Sequence, residues 1–148
     1  MEIVLAYTHI LGILIVFISL YSETLLLQST MSQRDVKRLA KADSWYGLGA
    51  IIMLVTGFSR IYLVGKGSDY YWGHDLFLIK LGLFTIVGLL SIYPTVQFIK
   101  LNKRVRAENL EEVQVEKAVQ FKKLIWLQLG ILLCIPLLAN MVARGIGY

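Results

Sequence analysis

The chain has 148 residues, 57% of them hydrophobic, a mean hydropathy of +0.65 and only two prolines. That composition excludes an ordinary soluble domain. The net charge of +5 does not mark a nucleic-acid surface either. Residues 28 to 43 hold Arg34, Lys37, Arg38 and Lys41, and residues 100 to 123 hold seven more basic side chains, so eleven of the 15 fall in two polar connections.

A bilayer core about 30 Å thick needs roughly 20 apolar residues per helical span. Four stretches qualify, at 3–27, 44–64, 75–99 and 124–143, and they occupy most of the chain. The expected fold is an all-α integral membrane protein, a four-transmembrane-helix bundle forming a single membrane domain over 1–148.

The first span opens on Met1-Glu2, with no basic lead-in, and "ISLYSETLLLQS" offers no small-x-small cleavage site, so it reads as a retained helix rather than a removable signal. With about 100° of rotation per residue, His9, Gly12, Val16, Ser19 and Glu23 share one stripe. The following "QSTMSQRDVKRLAKADS" reads as a short polar connection, with Asp43 or Ser44 capping the second helix. On that helix Arg60 shares a face with Gly57, Met53, Gly49 and Tyr46.

The next loop, "VGKGSDYYWGHD", has glycines at 65, 67 and 73 for turning and an aromatic cluster, Tyr70, Tyr71 and Trp72, suited to a membrane interface. In the third span Lys80 shares a face with Phe84, Val87, Ser91 and Pro94. "NKRVRAENLEEVQVEKAVQFKKLIW" carries Leu110, Val113, Lys117 and Phe121 at helical spacing and reads as an extension of the third or fourth helix. The fourth span holds the lone Cys134, a packing residue without a disulfide partner, and ends in "NMVARG" with Asn140 and Arg144.

The positive-inside rule puts both basic connections in the cytoplasm and both termini outside. Counted from that surface, His9, Arg60, Lys80 and Asn140 fall in one layer near the outer face. A Lys or Arg at mid-bilayer costs on the order of 2.5 to 3.5 kcal/mol on insertion scales, and near a helix end it snorkels instead. Each charged residue also lies on a stripe of small and polar residues, the kind used for helix contacts in lipid, so the charges are expected to face the bundle interior. Glu23 lies on the His9 stripe toward the inner end. It is open to an ion pair with Arg34, Lys37 or Lys41, or to a proton path past Ser19 to His9.

Two cations and an imidazole call for an anionic partner, a carboxylate or phosphate brought by a porphyrin, another anionic ligand or lipid, and a quinone is a further candidate partner. Haem b fits one version, with His9 as candidate iron ligand and Arg60 and Lys80 on the propionates. The pairs of facing histidines usual for membrane b-haem are missing, since only His9 and His74 occur. No zinc-ligand spacing, phosphate-binding glycine loop or nucleophile motif is present. Two functions follow: a haem- or quinone-associated redox protein, or a non-enzymatic small carrier or accessory subunit whose buried charges serve packing or lipid binding. As a carrier, so small a bundle would act as a homo-oligomer.

"ADSWYGLGA", "GFSRIY", "GKGSDYYW", "FLIKLGLF", "LLSIYPTVQF" and "NMVARGIG", with the first-helix His9 and Glu23, resemble a family of bacterial inner-membrane proteins of unknown function over nearly the whole chain. The resemblance implies a four-helix, multi-pass unit of the inner membrane and no particular activity. More distantly the chain is similar to the J-type protoporphyrinogen IX oxidase family, through His9 and the element Ile79, Lys80, Leu81. That likeness implies a helical bundle with b-type haem and electron transfer toward quinones. The oxidase family carries a Trp and a Gly shortly after its histidine, where this chain reads "ILIVFISLYSE".

Overall fold

The computed structural model of the chain describes residues 1–64, 68–73 and 75–146; Gly65, Gly67 and His74, singled out above, lie outside the described residues. Among the described residues, four helices are long and apolar enough to cross a membrane. They are α1 (Glu2–Leu26), α2 (Gln33–Ser59, continued by a wide π-helical turn over Arg60–Val64), α4 (Asp75–Ala107) and α5 (Ala118–Ala143). A five-residue helix, α3 (Ser68–Trp72), precedes α4, and two three-residue strands, β1 (Thr30–Ser32) and β2 (Glu112–Gln114), join the helix pairs. The protein is a four-helix membrane bundle whose outer belt is aliphatic: Ile3, Ile18, Val55, Leu89, Leu133 and Leu137 all stand exposed, as lipid-facing residues do.

Burial follows the stripes expected from the sequence. On α1 the buried positions include Gly12, Val16, Ser19 and Glu23, on α2 Tyr46, Gly49 and Met53, and on α4 Val87, Ser91 and Pro94. Small residues bring α1 and α2 together. A β-carbon on Gly49 would stand 2.9 Å from Ile15 Cγ2, 3.0 Å from Val16 Cγ2 and 3.1 Å from the Gly12 carbonyl oxygen. One on Gly12 would stand 3.0 Å from Met53 Cγ and 3.3 Å from the Gly49 carbonyl oxygen. In lipid, where apolar burial offers little drive for helix association, such backbone approach supplies the van der Waals contact that holds helices together.

Two expectations are corrected. The second helix begins ten residues before the expected cap, because "SQRD" is itself a start signal: Ser32 Oγ accepts from the Asp35 N–H at 3.2 Å and donates to Asp35 Oδ2 at 2.7 Å. A serine hydroxyl there satisfies an orphan amide of the first turn. Asp43 and Ser44 therefore cap nothing and lie inside α2.

The polar stretch extends α4 to Ala107 and α5 back to Ala118, as expected, but residues 108–117 between them are not helical. Asn109 adopts a left-handed conformation (φ 48°), and the Leu110 N–H reaches back to the Val105 carbonyl at 3.1 Å, the six-to-one bond that closes a helix end. "EVQV" then alternates instead of following a helical period. Val113 and Val115 are buried while Glu112 and Gln114 are exposed, and Val113 pairs with Met31 in the antiparallel β1–β2 ribbon. The ribbon ties the α1–α2 connection to the α4–α5 connection at the end opposite the chain termini.

Substituting Gly49→Ala forces Ile15, Val16 or the Gly12 backbone to move, an overpacking cost of about 1 to 3 kcal/mol. Gly88, with nothing within 4 Å of its β-carbon position, is the control. Thermal midpoints in detergent should fall for Gly49→Ala and hold or rise for Gly88→Ala.

Candidate functional site

The polar layer forms at the end of the bundle where the termini lie. A cavity of about 340 Å³ opens there between α1, α2, α4 and α5, with α3 at its rim, and His9, Arg60 and Lys80 all line it. Its other walls are aliphatic and aromatic, among them Ile13, Phe17, Phe58, Phe77, Phe84, Leu132 and Ile135. A concave, mostly apolar chamber with a few converging polar groups is the usual form of a small-molecule site.

The α1–α2 crossing positions the histidine. His9 sits one turn toward the terminus from Gly12, and its Nδ1 lies 2.8 Å from Thr56 Oγ1. The Thr56 hydroxyl donates to the Ile52 carbonyl at 2.6 Å, so its lone pair is left to accept from an Nδ1–H. This network assigns the proton of the neutral ring to Nδ1 and leaves Nε2 as the acceptor nitrogen. Gly57 provides the room: a β-carbon there would meet His9 Cε1 at 3.5 Å.

Arg60 begins the π-helical turn, where its N–H is shared among the carbonyls of Thr56, Gly57 and Phe58. Such wide turns inside helices are frequent at functional sites. The Arg60 side chain is exposed and Lys80 half-buried, and both lie within electrostatic reach of His9 and of each other. The Lys80 ammonium stands 4.8 Å from the centroid of the Phe77 ring, a cation–π contact that holds it without neutralising it. The ion pairs recorded among the described residues, Arg38–Asp35 and Arg104–Glu108, involve neither cavity cation. Two positive charges thus converge on an apolar chamber and no carboxylate of the described residues answers them.

The remaining sequence candidates divide. Asn140 is at the expected depth but exposed on α5, off the cavity lining, and Arg144 is exposed just beyond. Val142 and Ile135 form the inward face instead. Asn140 is two residues from Val142 and five from Ile135, about 160° and 140° round the helix. Glu23 lies far from the cavity and pairs with none of the loop cations; the neighbour that acts on it electrostatically is Asp43.

Tyr70 and Tyr71, whose rings suit a membrane interface, also line the cavity. Tyr70 Oη donates to the Val142 carbonyl at 3.1 Å, fastening α3 onto the end of α5. Tyr71 packs on Phe77 with centroids 5.4 Å apart. Their adjacency to Trp72 was visible in the sequence; the fold of α3 back over the bundle was not. Pro136 is also in the wall. Lacking an N–H, it leaves the Leu132 carbonyl without its intrahelical donor.

Among the described residues there is no group of three or more His, Cys, Asp or Glu able to hold a metal ion. In 15N-labelled protein the His9 ring should show the Nδ1–H form, and Thr56→Val should remove that preference. A spectrum of the unmodified protein dominated by Nε2–H would contradict the assigned donor.

No curated protein matches the chain, and no solved structure does. The distant likeness to the haem-binding oxidase family therefore rests on His9 and Ile79–Leu81 alone. A family model described as predicted membrane protein, DUF2214, matches residues 1–147. With four membrane-length helices and a match over virtually its whole length, the chain belongs to the DUF2214 family of predicted membrane proteins.

Proposed function

We propose that the protein binds an amphipathic anion from the membrane, with a carboxylate or phosphate held by Arg60 and Lys80 and the hydrocarbon part lying along the apolar wall. The observation that carries this reading is the convergence of two cations, with no carboxylate partner among the described residues, on a chamber lined by Ile13, Phe17, Phe84 and Leu132. A charge-assisted hydrogen bond from guanidinium or ammonium to an anionic oxygen is about twice as strong as a neutral one. It gains further where the chamber excludes water. His9, whose Nε2 carries the lone pair in this tautomer, is placed to accept a hydrogen bond from a protonated group next to the anion.

The concentration of basic residues at the ribbon end supports a cytoplasmic location for that end by the positive-inside rule. The cavity then opens at the opposite face, near the depth where lipid headgroups and quinone rings reside. Binding of this kind serves a carrier or accessory subunit as well as a redox protein. The haem-associated version differs in requiring Nε2 of His9 on iron.

The probe is dodecyl phosphate added to protein purified in a neutral detergent. A ligand at one hundred times its Kd stabilises the folded state by about 2.7 kcal/mol, so the thermal midpoint should rise by several degrees. Dodecyltrimethylammonium should give no rise, and Arg60→Ala with Lys80→Ala should abolish the response to the phosphate. An equal rise in the double variant would remove the reading. A Soret band in the purified protein that His9→Ala abolishes would replace it with the haem-associated one.

A further inference from the structure

A second polar layer crosses the bundle in its ribbon-side half, and all four long helices contribute to it. From α1 comes Glu23, 2% exposed, and from α2 come Asp43, 7% exposed, and Tyr46. Asp43 and Glu23 interact electrostatically, as Tyr46 does with both. From α4, Thr95 donates its hydroxyl to Asp43 Oδ1 at 2.6 Å, and buried Ser91 lies near Tyr46. From α5 comes Gln128, 0% exposed.

The level of Gln128 follows from the packing of α4 on α5. The Phe98 and Phe121 rings are 5.7 Å apart. Ser91 is two turns from Phe98 on α4, and Gln128 is two turns from Phe121 on α5, both toward the chain termini. Seven residues return each helix to nearly the same face, so Gln128 enters the interior at the height of Ser91 and Tyr46.

Three atoms in this layer are buried and have no hydrogen-bond partner: Glu23 Oε1 and both Gln128 Nε2 and Oε1. Buried polar groups in folded proteins are almost always paired, so orphans in one layer call for an explanation. The groups that act on Glu23 are Asp43 and Tyr46 from α2; Thr95 of α4 holds Asp43, and Ser91 of α4 and Gln128 of α5 are the buried uncharged groups at the same height. None is a cation, and among the described residues neither recorded ion pair includes Glu23 or Asp43. Two carboxylates sharing a site without a countercharge repel each other, and burial adds to the cost of ionising both.

We infer that Glu23 and Asp43 form a proton-binding site within the membrane bundle, the pair carrying one exchangeable proton with the Gln128 amide as the third wall of the site. With one carboxyl neutral, the pair holds a single negative charge, already stabilised by the Thr95 hydroxyl. The added O–H gives an orphan oxygen a hydrogen to offer, and the amide can both accept and donate. A site that takes up and releases a proton inside the membrane is what a proton-coupled process requires. It stands on residues separate from the terminal cavity and does not depend on how that cavity is read.

Infrared spectroscopy of the whole protein in lipid tests it. At neutral pH the spectrum should contain the carbonyl stretch of a protonated carboxyl, which disappears on alkalinisation and is lost in Glu23→Gln or Asp43→Asn. Dicyclohexylcarbodiimide, which adds to a buried carboxylic acid but not to a carboxylate, should label the unmodified protein at Glu23 or Asp43 and lose that labelling at high pH. Absence of the band in the unmodified protein would overturn the inference, even where a variant fails to fold. So would a band that survives both substitutions. A band and adduct abolished by replacing choline with sodium at constant pH would assign the site to a metal cation, and the proton site would be withdrawn.

Discussion

The approach of α1 to α2 at Gly12 and Gly49 sets the positions on which both polar layers depend. With hydrogen in place of two side chains, the backbones come close enough that Gly49 lies in contact distance of the Gly12 carbonyl and of Ile15 and Val16. Because the two helices are antiparallel, this single approach sets the register in both directions. Toward the termini it brings His9 to Thr56 at 2.8 Å. Toward the ribbon it brings Glu23 level with Asp43. Larger side chains at the crossing would separate the helices and loosen both pairings together.

The two layers differ in what surrounds their charges. At the terminal end the charges are positive, near the surface and beside an open apolar chamber, an arrangement that favours an external anion. In the ribbon-side half the ionisable groups are acidic, enclosed and flanked by neutral hydroxyls and an amide. Between them the interior is largely aliphatic, with Val16, Leu20, Val87, Leu129 and Leu132 all buried. The bundle thus separates an open cavity lined by cations from an enclosed layer of acidic and neutral polar groups.

Some of the local structure was written in short signals that helical counting obscured. "SQRD" is a capping sequence, and it moves the start of α2 back to Gln33; the run of Lys and Arg that follows had masked it as a polar connection. In "EVQV" the valines alternate with polar residues, the strand pattern, whereas the helical spacing of Leu110, Val113, Lys117 and Phe121 was a coincidence of four positions. A strand of three residues is too short to be stable alone. It exists because the α1–α2 connection provides the second strand.

Length, hydropathy and the distribution of Lys and Arg determined by themselves that this chain forms a four-helix membrane bundle, because the cost of exposing backbone or charge to hydrocarbon leaves few other structures. The stripes of small and polar residues likewise determined which faces of α1, α2 and α4 turn inward, since the period of the helix is fixed. Depth was legible as well, and it brought His9, Arg60 and Lys80 to one level. Only the tertiary structure decided azimuth and partnership. It left Asn140 off the cavity lining, put Tyr70 and Tyr71 into it, and brought Asp43 within electrostatic reach of Glu23. Those outcomes depend on how α5 and α4 are rotated against their neighbours, and rotation is set by side-chain packing between segments far apart in the chain, which no local period records.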